Sequence, residues 1–186
     1  IHVVNSDNWT MPKVYAGWTL DDEIRFDSTS GGVYYELARN FIADGGYIAG
    51  CVFNEDYKSA KHMIGNDMSA LIRIMGSKYF QSDTGGIYIK LRELISNGKN
   101  VLFCGTPCQL AAVIAFFDGI PENLYLLDFI CKGINSPLAF RAYMEELETK
   151  YHSPIKNVRM KSKKTGWESL ATEVQFENGK AYHRDR

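Results

Sequence analysis

Residues 101–110, VLFCGTPCQL, predict the end of a buried strand, a tight turn and the start of a helix. Residues 100–103 are apolar and β-prone, and Gly105 permits a sharp turn. Thr106 suits the N-cap, Pro107 suits the first helical position, and Gln109 completes a capping box. Cys108 then lies in the first helical turn, where free amides and the helix dipole favour its thiolate. Such a thiolate is a metal ligand, a redox group or a nucleophile.

The composition excludes several classes of protein. The chain has 186 residues, which is enough for one core and a small appendage. Its 21 basic and 22 acidic residues nearly cancel, which argues against nucleic acid or an anionic membrane as the main partner. We expect no transmembrane segment and no signal peptide, and therefore a cytoplasmic location. The chain starts without Met and stops in a strand-like stretch, so we expect a fragment of a longer protein.

Strands and helices alternate along the chain, which predicts an α/β fold. We expect a mixed, mostly parallel sheet with helices on both faces, and a short β-rich C-terminal extension. The core would span residues 1–153, and a β-rich, truncated segment would span 154–186. The predicted strands are residues 13–19, 23–26, 47–53, 57–64, 100–104, 123–130, 155–160, 170–176 and 180–183. The predicted helices are residues 31–44, 66–74, 84–97, 107–117 and 138–151.

The cysteines favour metal or redox chemistry over a disulfide framework. The strands at 100–104 and 123–130, joined by a helix, form a right-handed βαβ unit, and ligands bind beyond the carboxyl ends of such strands. If these strands are neighbours, Cys104, Cys108 and Cys131 converge on one edge, where three thiolates suit an iron–sulfur cluster or zinc. Alternatively, Cys104 is simply the last buried residue of its strand. We assign Cys51 to the core.

Three further stretches each permit a functional and a structural interpretation. Residues 28–32 (STSGG) form either an anion site at a helix N-terminus or an ordinary N-cap. Residues 77–83 (SKYFQSD) suit either a polar heterocycle or a solvated loop. Residues 159–167 (RMKSKKTGW) provide either an anion clamp or a lysine-protected strand edge. The four histidines have no metal-ligand spacing and are assigned no role.

Taken together, residues 28–32, 76–82, 105–109, 128–137 and 164–167 resemble the coenzyme F420 hydrogenase/dehydrogenase beta-subunit family. The resemblance covers the chain from about Val14 onward. It implies an iron–sulfur flavoprotein that binds FAD and passes electrons between clusters and a second substrate, such as a deazaflavin coenzyme or a partner protein.

The resemblance also implies site residues. Thirteen residues would contact the flavin: Ser30, Gly31, Gly32, Ser77, Lys78, Tyr79, Gln81, Ser82, Thr106, Pro107, Gln109, Lys132 and Gly133. Three cysteines would serve the cluster, namely Cys108, Cys131 and Cys104, and Cys108 and Cys131 could instead lie against the flavin.

This sequence departs from the family pattern in three places. Cys104 stands where members often have serine, Lys132 replaces the usual histidine, and Lys161-Ser162-Lys163 replaces Arg-Asp-Lys. We expect this fragment to lack the ferredoxin-like N-terminal module and the C-terminal cysteine segment of the family. If that C-terminal segment supplies ligands, this fragment cannot hold a complete cluster.

The sequence therefore predicts a flavin-dependent oxidoreductase domain that moves electrons or hydride between a cluster and a second substrate. Its partner would be a small molecule or a redox protein, and the chain would belong to a larger redox complex. Two alternatives remain open. One is a docking module without turnover. The other is a transferase with Cys108 as nucleophile, for which the sequence places no histidine base nearby.

Overall fold

The structure is a computed structural model that describes residues 13–184. It contains six helices and seven strands within that range. The helices are α1 (Asp22–Asp27), α2 (Val33–Ala43), α3 (Met68–Ile74), α4 (Ile87–Ser96), α5 (Pro107–Phe117) and α6 (Pro137–Tyr151). The strands are β1 (Tyr47–Phe53), β2 (Ala60–Gly65), β3 (Val101–Gly105), β4 (Leu124–Asp128), β5 (Ile155–Ser162), β6 (Ala171–Phe176) and β7 (Ala181–Arg184).

Two strand predictions near the N-terminus are wrong. Residues 23–26 lie in α1, because the Asp21 carboxylate caps this helix by accepting hydrogen bonds from the amides of Glu23 and Ile24. Residues 13–19 form no strand. The amide of Thr19 instead donates to the carbonyl of Gly31 across 2.8 Å.

The first sheet has the strand order β2-β1-β3-β4. β1 pairs antiparallel with β2, whereas β1 with β3 and β3 with β4 are parallel pairs. The helix α5 connects the parallel neighbours β3 and β4, as the sequence predicts. The sheet is therefore mixed and mostly parallel.

Helices cover both faces of this sheet, which confirms the predicted α/β class. On one face, Ile48 and Val52 of β1 and Leu102 of β3 pack with residues of α2 and α3. On the other face, Val101 and Phe103 of β3 pack with residues of α4 and α5. Successive strand residues alternate between the two faces, so both faces bury apolar side chains.

A second, antiparallel sheet has the order β5-β6-β7. Phe140, Met144 and Leu147 of α6 pack against it, together with Ala60 and Phe80 from the first part of the chain. The two sheets therefore share a hydrophobic cluster. Across residues 13–184, no helix combines the length and apolar character needed to cross a bilayer.

Candidate functional site

Three of the stretches singled out in the sequence lie close together near the carboxyl end of the central strands. The Thr29 and Ser77 hydroxyl oxygens are 3.0 Å apart, and the Ser77 amide donates to Thr29 Oγ1 across 3.1 Å. Farther along the same loop, the Ser82 hydroxyl accepts a hydrogen bond from Gln109 Nε2 across 3.0 Å. The loop at 77–83 therefore links the turn at 28–32 to the turn at 105–109.

The turn before α2 has a backbone that glycine alone adopts easily. Gly32 is the N-cap of α2 and has φ +83°. A Cβ atom at this position would lie 2.6 Å from Thr19 Cγ2. Both the φ angle and the close approach of Thr19 therefore require glycine.

Lys163, which lies far from this turn in the sequence, forms hydrogen bonds with its backbone and with that of α1. Its ammonium donates to the carbonyl oxygens of Arg25 at 2.6 Å and Ser30 at 2.7 Å. It also lies 5.1 Å from the centre of the Trp167 ring, at the distance of a cation–π contact. Burial and the neighbouring Arg25 and Arg159 guanidinium groups lower the pKa of Lys163.

These contacts border an open cleft of about 440 Å³. Its walls are partly aromatic and partly charged. The lining residues are Asp22, Arg25, Phe26, Ser30, Gly31, Lys163 and Trp167. The indole of Trp167 and the ring of Phe26 are exposed. Such a cleft suits a planar heterocycle that carries anionic groups, because rings offer a stacking surface and cations offset negative charge.

The structure gives Lys78 a definite set of partners. Its ammonium donates to the carbonyl oxygens of Arg73 at 3.1 Å, Ile74 at 2.9 Å and Met75 at 2.9 Å. These carbonyls belong to the end of α3, where a helix leaves its acceptors unpaired. Burial lowers the pKa of Lys78 to about 8. Its three N–H donors are thus used to cap a helix.

The turn at 105–109 has the capping arrangement that the sequence predicts. Gln109 Oε1 accepts a hydrogen bond from the Thr106 amide across 2.9 Å, and Pro107 is the first residue of α5. A Cβ atom on Gly105 would lie 3.0 Å from Gln109 Oε1, so this close approach favours glycine. The Cys108 thiol is exposed and lies 3.1 Å from Thr106 Oγ1.

Other predicted site residues lie in two neighbouring loops. The carbonyl of Tyr79 accepts a hydrogen bond from Asn135 Nδ2 across 3.1 Å, and the amide of Gln81 donates to the Asn135 carbonyl across 3.3 Å. Lys132 and Gly133 are exposed in the loop between β4 and α6. The loop at 129–136 is thus tied to the loop at 77–83.

The cysteines do not form a metal centre in the described part of the chain. Between residues 13 and 184, no three His, Cys, Asp or Glu side chains lie close enough to hold a metal ion. Cys104 is half-buried, and burial, with a contribution from Asp128, raises the pKa of its thiol to about 11 despite the nearby Lys78. The Cys131 thiol lies 3.7 Å from the Gly133 carbonyl oxygen. The described part of the chain therefore does not bring Cys104, Cys108 and Cys131 together as ligands of one cluster.

The sequence analysis missed His62, which the structure places beside Ser82. The alternation in β2, in which Ala60 and His62 are buried and Lys61 is exposed, is the signal that predicts an inward-facing histidine. Ligand spacing alone does not detect it.

Comparisons with known proteins give a family match and a likeness to a solved structure. Residues 98–185 match the family described as the C terminus of the beta subunit of coenzyme F420 hydrogenase/dehydrogenase. No curated protein matches the sequence.

The fold is similar to that of a chain in the solved structure of the xenon-derivatised F420-reducing NiFe hydrogenase complex from Methanosarcina barkeri. The TM-score is 0.62 at 16% sequence identity, and the likeness covers 90% of this chain and 58% of that chain. At this identity the likeness shows the fold alone. The C-terminal half of the chain is thus similar to the beta subunit of coenzyme F420 hydrogenase/dehydrogenase, and the fold is similar to that of a chain from an F420-reducing hydrogenase complex.

Proposed function

We propose that this chain is the FAD-binding part of a redox protein, which moves electrons or hydride between a partner and a second substrate such as a deazaflavin coenzyme. One observation carries the proposal. Ser30 and Gly31 meet Lys163 and Trp167 at a single cleft, although more than 130 residues separate these pairs in the sequence. Ser30, Gly31 and Trp167 belong to the stretches that resemble the family, and Lys163 directly precedes the last of these stretches.

The residues present in the cleft fit a flavin. Trp167 and Phe26 offer rings against which an isoalloxazine can pack. Lys163 gives positive charge for the phosphates, together with Arg25, which also forms an ion pair with Asp22. Because Lys163 already holds two backbone carbonyls, its role is to keep the cleft wall in place as well as to attract anions. A bound flavin would supply hydride and single-electron transfer, while the chain binds and orients the ring.

The family supports a place in a larger redox complex. The similar solved chain comes from a hydrogenase complex, and this chain spans 58% of the length of that neighbour. We propose a protein or small-molecule redox partner on these grounds. A cytoplasmic location belongs to the same proposal, because Cys51, Cys104, Cys108 and Cys131 are free thiols, as a reducing compartment keeps them.

The test uses the full-length protein, purified without oxygen. Its visible spectrum is recorded, and FAD binding is measured by quenching of flavin fluorescence. We expect flavin bands or saturable uptake of added FAD. The variant K163M should weaken FAD binding by about tenfold or more, which corresponds to the loss of one charge-assisted contact.

Matched variants separate the cleft from a general effect on the protein. Lys90→Met removes an exposed lysine from α4, outside the cleft, and should leave FAD affinity unchanged. Trp167→Phe should keep more affinity than Trp167→Ala, because it retains a ring. A colourless full-length protein that takes up no FAD would overturn the proposal and support a docking module instead.

A further inference from the structure

His62 lies inside the protein beneath the turn at 105–109. It belongs to the sheet-edge strand β2 and pairs across the antiparallel ladder with Cys51. Its side chain is buried, with the residue only 8% exposed. The imidazole stacks on the Phe103 ring, with a centroid distance of 5.5 Å and an interplanar angle of 4°.

A chain of hydrogen bonds leads from this ring to the turn. His62 Nδ1 lies 3.2 Å from Ser82 Oγ, and Ser82 Oγ accepts from Gln109 Nε2 across 3.0 Å. The other end of the Gln109 amide accepts from the Thr106 backbone N–H. Both ends of the Gln109 side chain are therefore fixed, one by the turn and one by Ser82.

The link between His62 and Ser82 does not depend on the tautomer of the ring. If Nδ1 carries no proton, it accepts a hydrogen bond from the Ser82 hydroxyl; if Nδ1 carries a proton, it donates a hydrogen bond to the Ser82 oxygen. In both cases Ser82 keeps a lone pair for Gln109. The histidine thus orients the hydroxyl that holds Gln109.

Stability alone does not explain a histidine at this position. His62 Nε2 is buried and has no hydrogen-bond partner among the described residues. Burying an unpaired polar atom costs free energy, whereas a phenylalanine ring could stack on Phe103 without that cost. The feature that phenylalanine lacks is the contact with Ser82.

We propose that His62 is a positioning residue that, through Ser82 and Gln109, sets the geometry of the turn presenting Thr106 and Cys108. The turn at 105–109 lies outside the lining of the cleft to which we assign the flavin, so this inference goes beyond the proposed function. The test measures the stability of the hydrogen bonds in this turn and does not require flavin binding.

The experiment measures amide hydrogen exchange of residues 104–110 by mass spectrometry in the full-length protein. The variants are H62F, S82A, the H62F/S82A double variant and H62N. We expect H62F and S82A each to speed exchange at this turn by about threefold or more, and the double variant to add little, because residues in one network are not additive. H62N should restore slow exchange, since its amide can donate to or accept from Ser82.

Three results would overturn the inference. One is unchanged exchange in S82A, a variant that leaves the buried ring untouched and so remains informative if H62F does not fold. Another is additive effects of the two single variants. The third is an H62N protein that behaves like H62F. A protein that binds no FAD but shows the expected exchange pattern would contradict the proposed function and still support the role of His62.

Discussion

The backbone amide of Thr19 donates to the carbonyl oxygen of Gly31 across 2.8 Å. This bond ties the segment before α1 to the turn that begins α2. The Thr19 hydroxyl also donates to Glu36 Oε1 across 2.5 Å, in the first part of α2. The segment that precedes α1 thus forms one side of the glycine turn.

The glycine turn gives a matched pair of stability predictions. Gly32→Ala should destabilise the protein by about 2–4 kcal/mol, because it combines a left-handed backbone with a clash against Thr19. Gly98 also has a left-handed φ, +69°, but open space around it, so Gly98→Ala should cost only about 1 kcal/mol. Urea unfolding of both variants measures the difference. If both variants lose the same free energy of unfolding, the Thr19 side chain moves away from the new methyl group without an energetic cost.

Lys78→Met should lower the free energy of unfolding by about 1–3 kcal/mol, because three carbonyls at the end of α3 lose their common donor. For a chain of this size, that loss corresponds to a melting temperature lower by roughly 2–4 °C per kcal/mol. Thermal unfolding beside the surface control Lys90→Met provides the measurement. A stable K78M protein with impaired FAD binding would instead assign Lys78 to the ligand.

The stability of the protein should fall as the pH drops below about 6.5. Burial lowers the pKa of His62 below its ordinary value of 6.5, although Asp83 partly opposes the shift. Below pH 6.5, His62 binds a proton in the unfolded chain but stays neutral in the folded chain until a lower pH is reached. Acid therefore favours unfolding.

Urea unfolding at several pH values between 5 and 8 tests this dependence. In the H62F variant, the free energy of unfolding should depend less steeply on pH. One titrating group contributes at most about 1.4 kcal/mol per pH unit to this slope. A slope that is the same in the variant and in the unchanged protein would assign the acid sensitivity to other groups.

The cysteines should differ strongly in their reaction with iodoacetamide at neutral pH. Cys108 is exposed in the first turn of α5, whereas Cys104 is half-buried with a thiol pKa raised to about 11. We expect Cys108 to react at least about tenfold faster than Cys104, because the thiolate is the reacting form. Peptide mapping by mass spectrometry gives both rates. Faster reaction of Cys104 in the folded protein would contradict its burial.

Local sequence signals determined the central unit of the fold. The apolar run at 101–105, the turn at Gly105 and the Thr106–Gln109 capping pair predict β3 and α5. The helix α5 occupies the predicted residues 107–117. These signals act over a few residues and so can be recognised in the sequence. The division at residue 153 remains a prediction.

In α1, a local signal was present but carried less weight than the strand pattern. Asp21 followed by acidic residues at 22 and 23 is typical of a helix start, yet the apolar residues nearby suggested a strand. In α6, Phe140 and Met144 are buried, whereas Leu138 is exposed.

Tertiary structure alone decided the composition of the site. Lys163 reaches Ser30 across 133 positions in the sequence, and Gln109 reaches Ser82 across 27. The sequence identified the stretches that meet, from the order of their motifs. It could not show that Lys78 caps α3 or that His62 supports Ser82, because such roles depend on which side chains the packed core brings within hydrogen-bond distance.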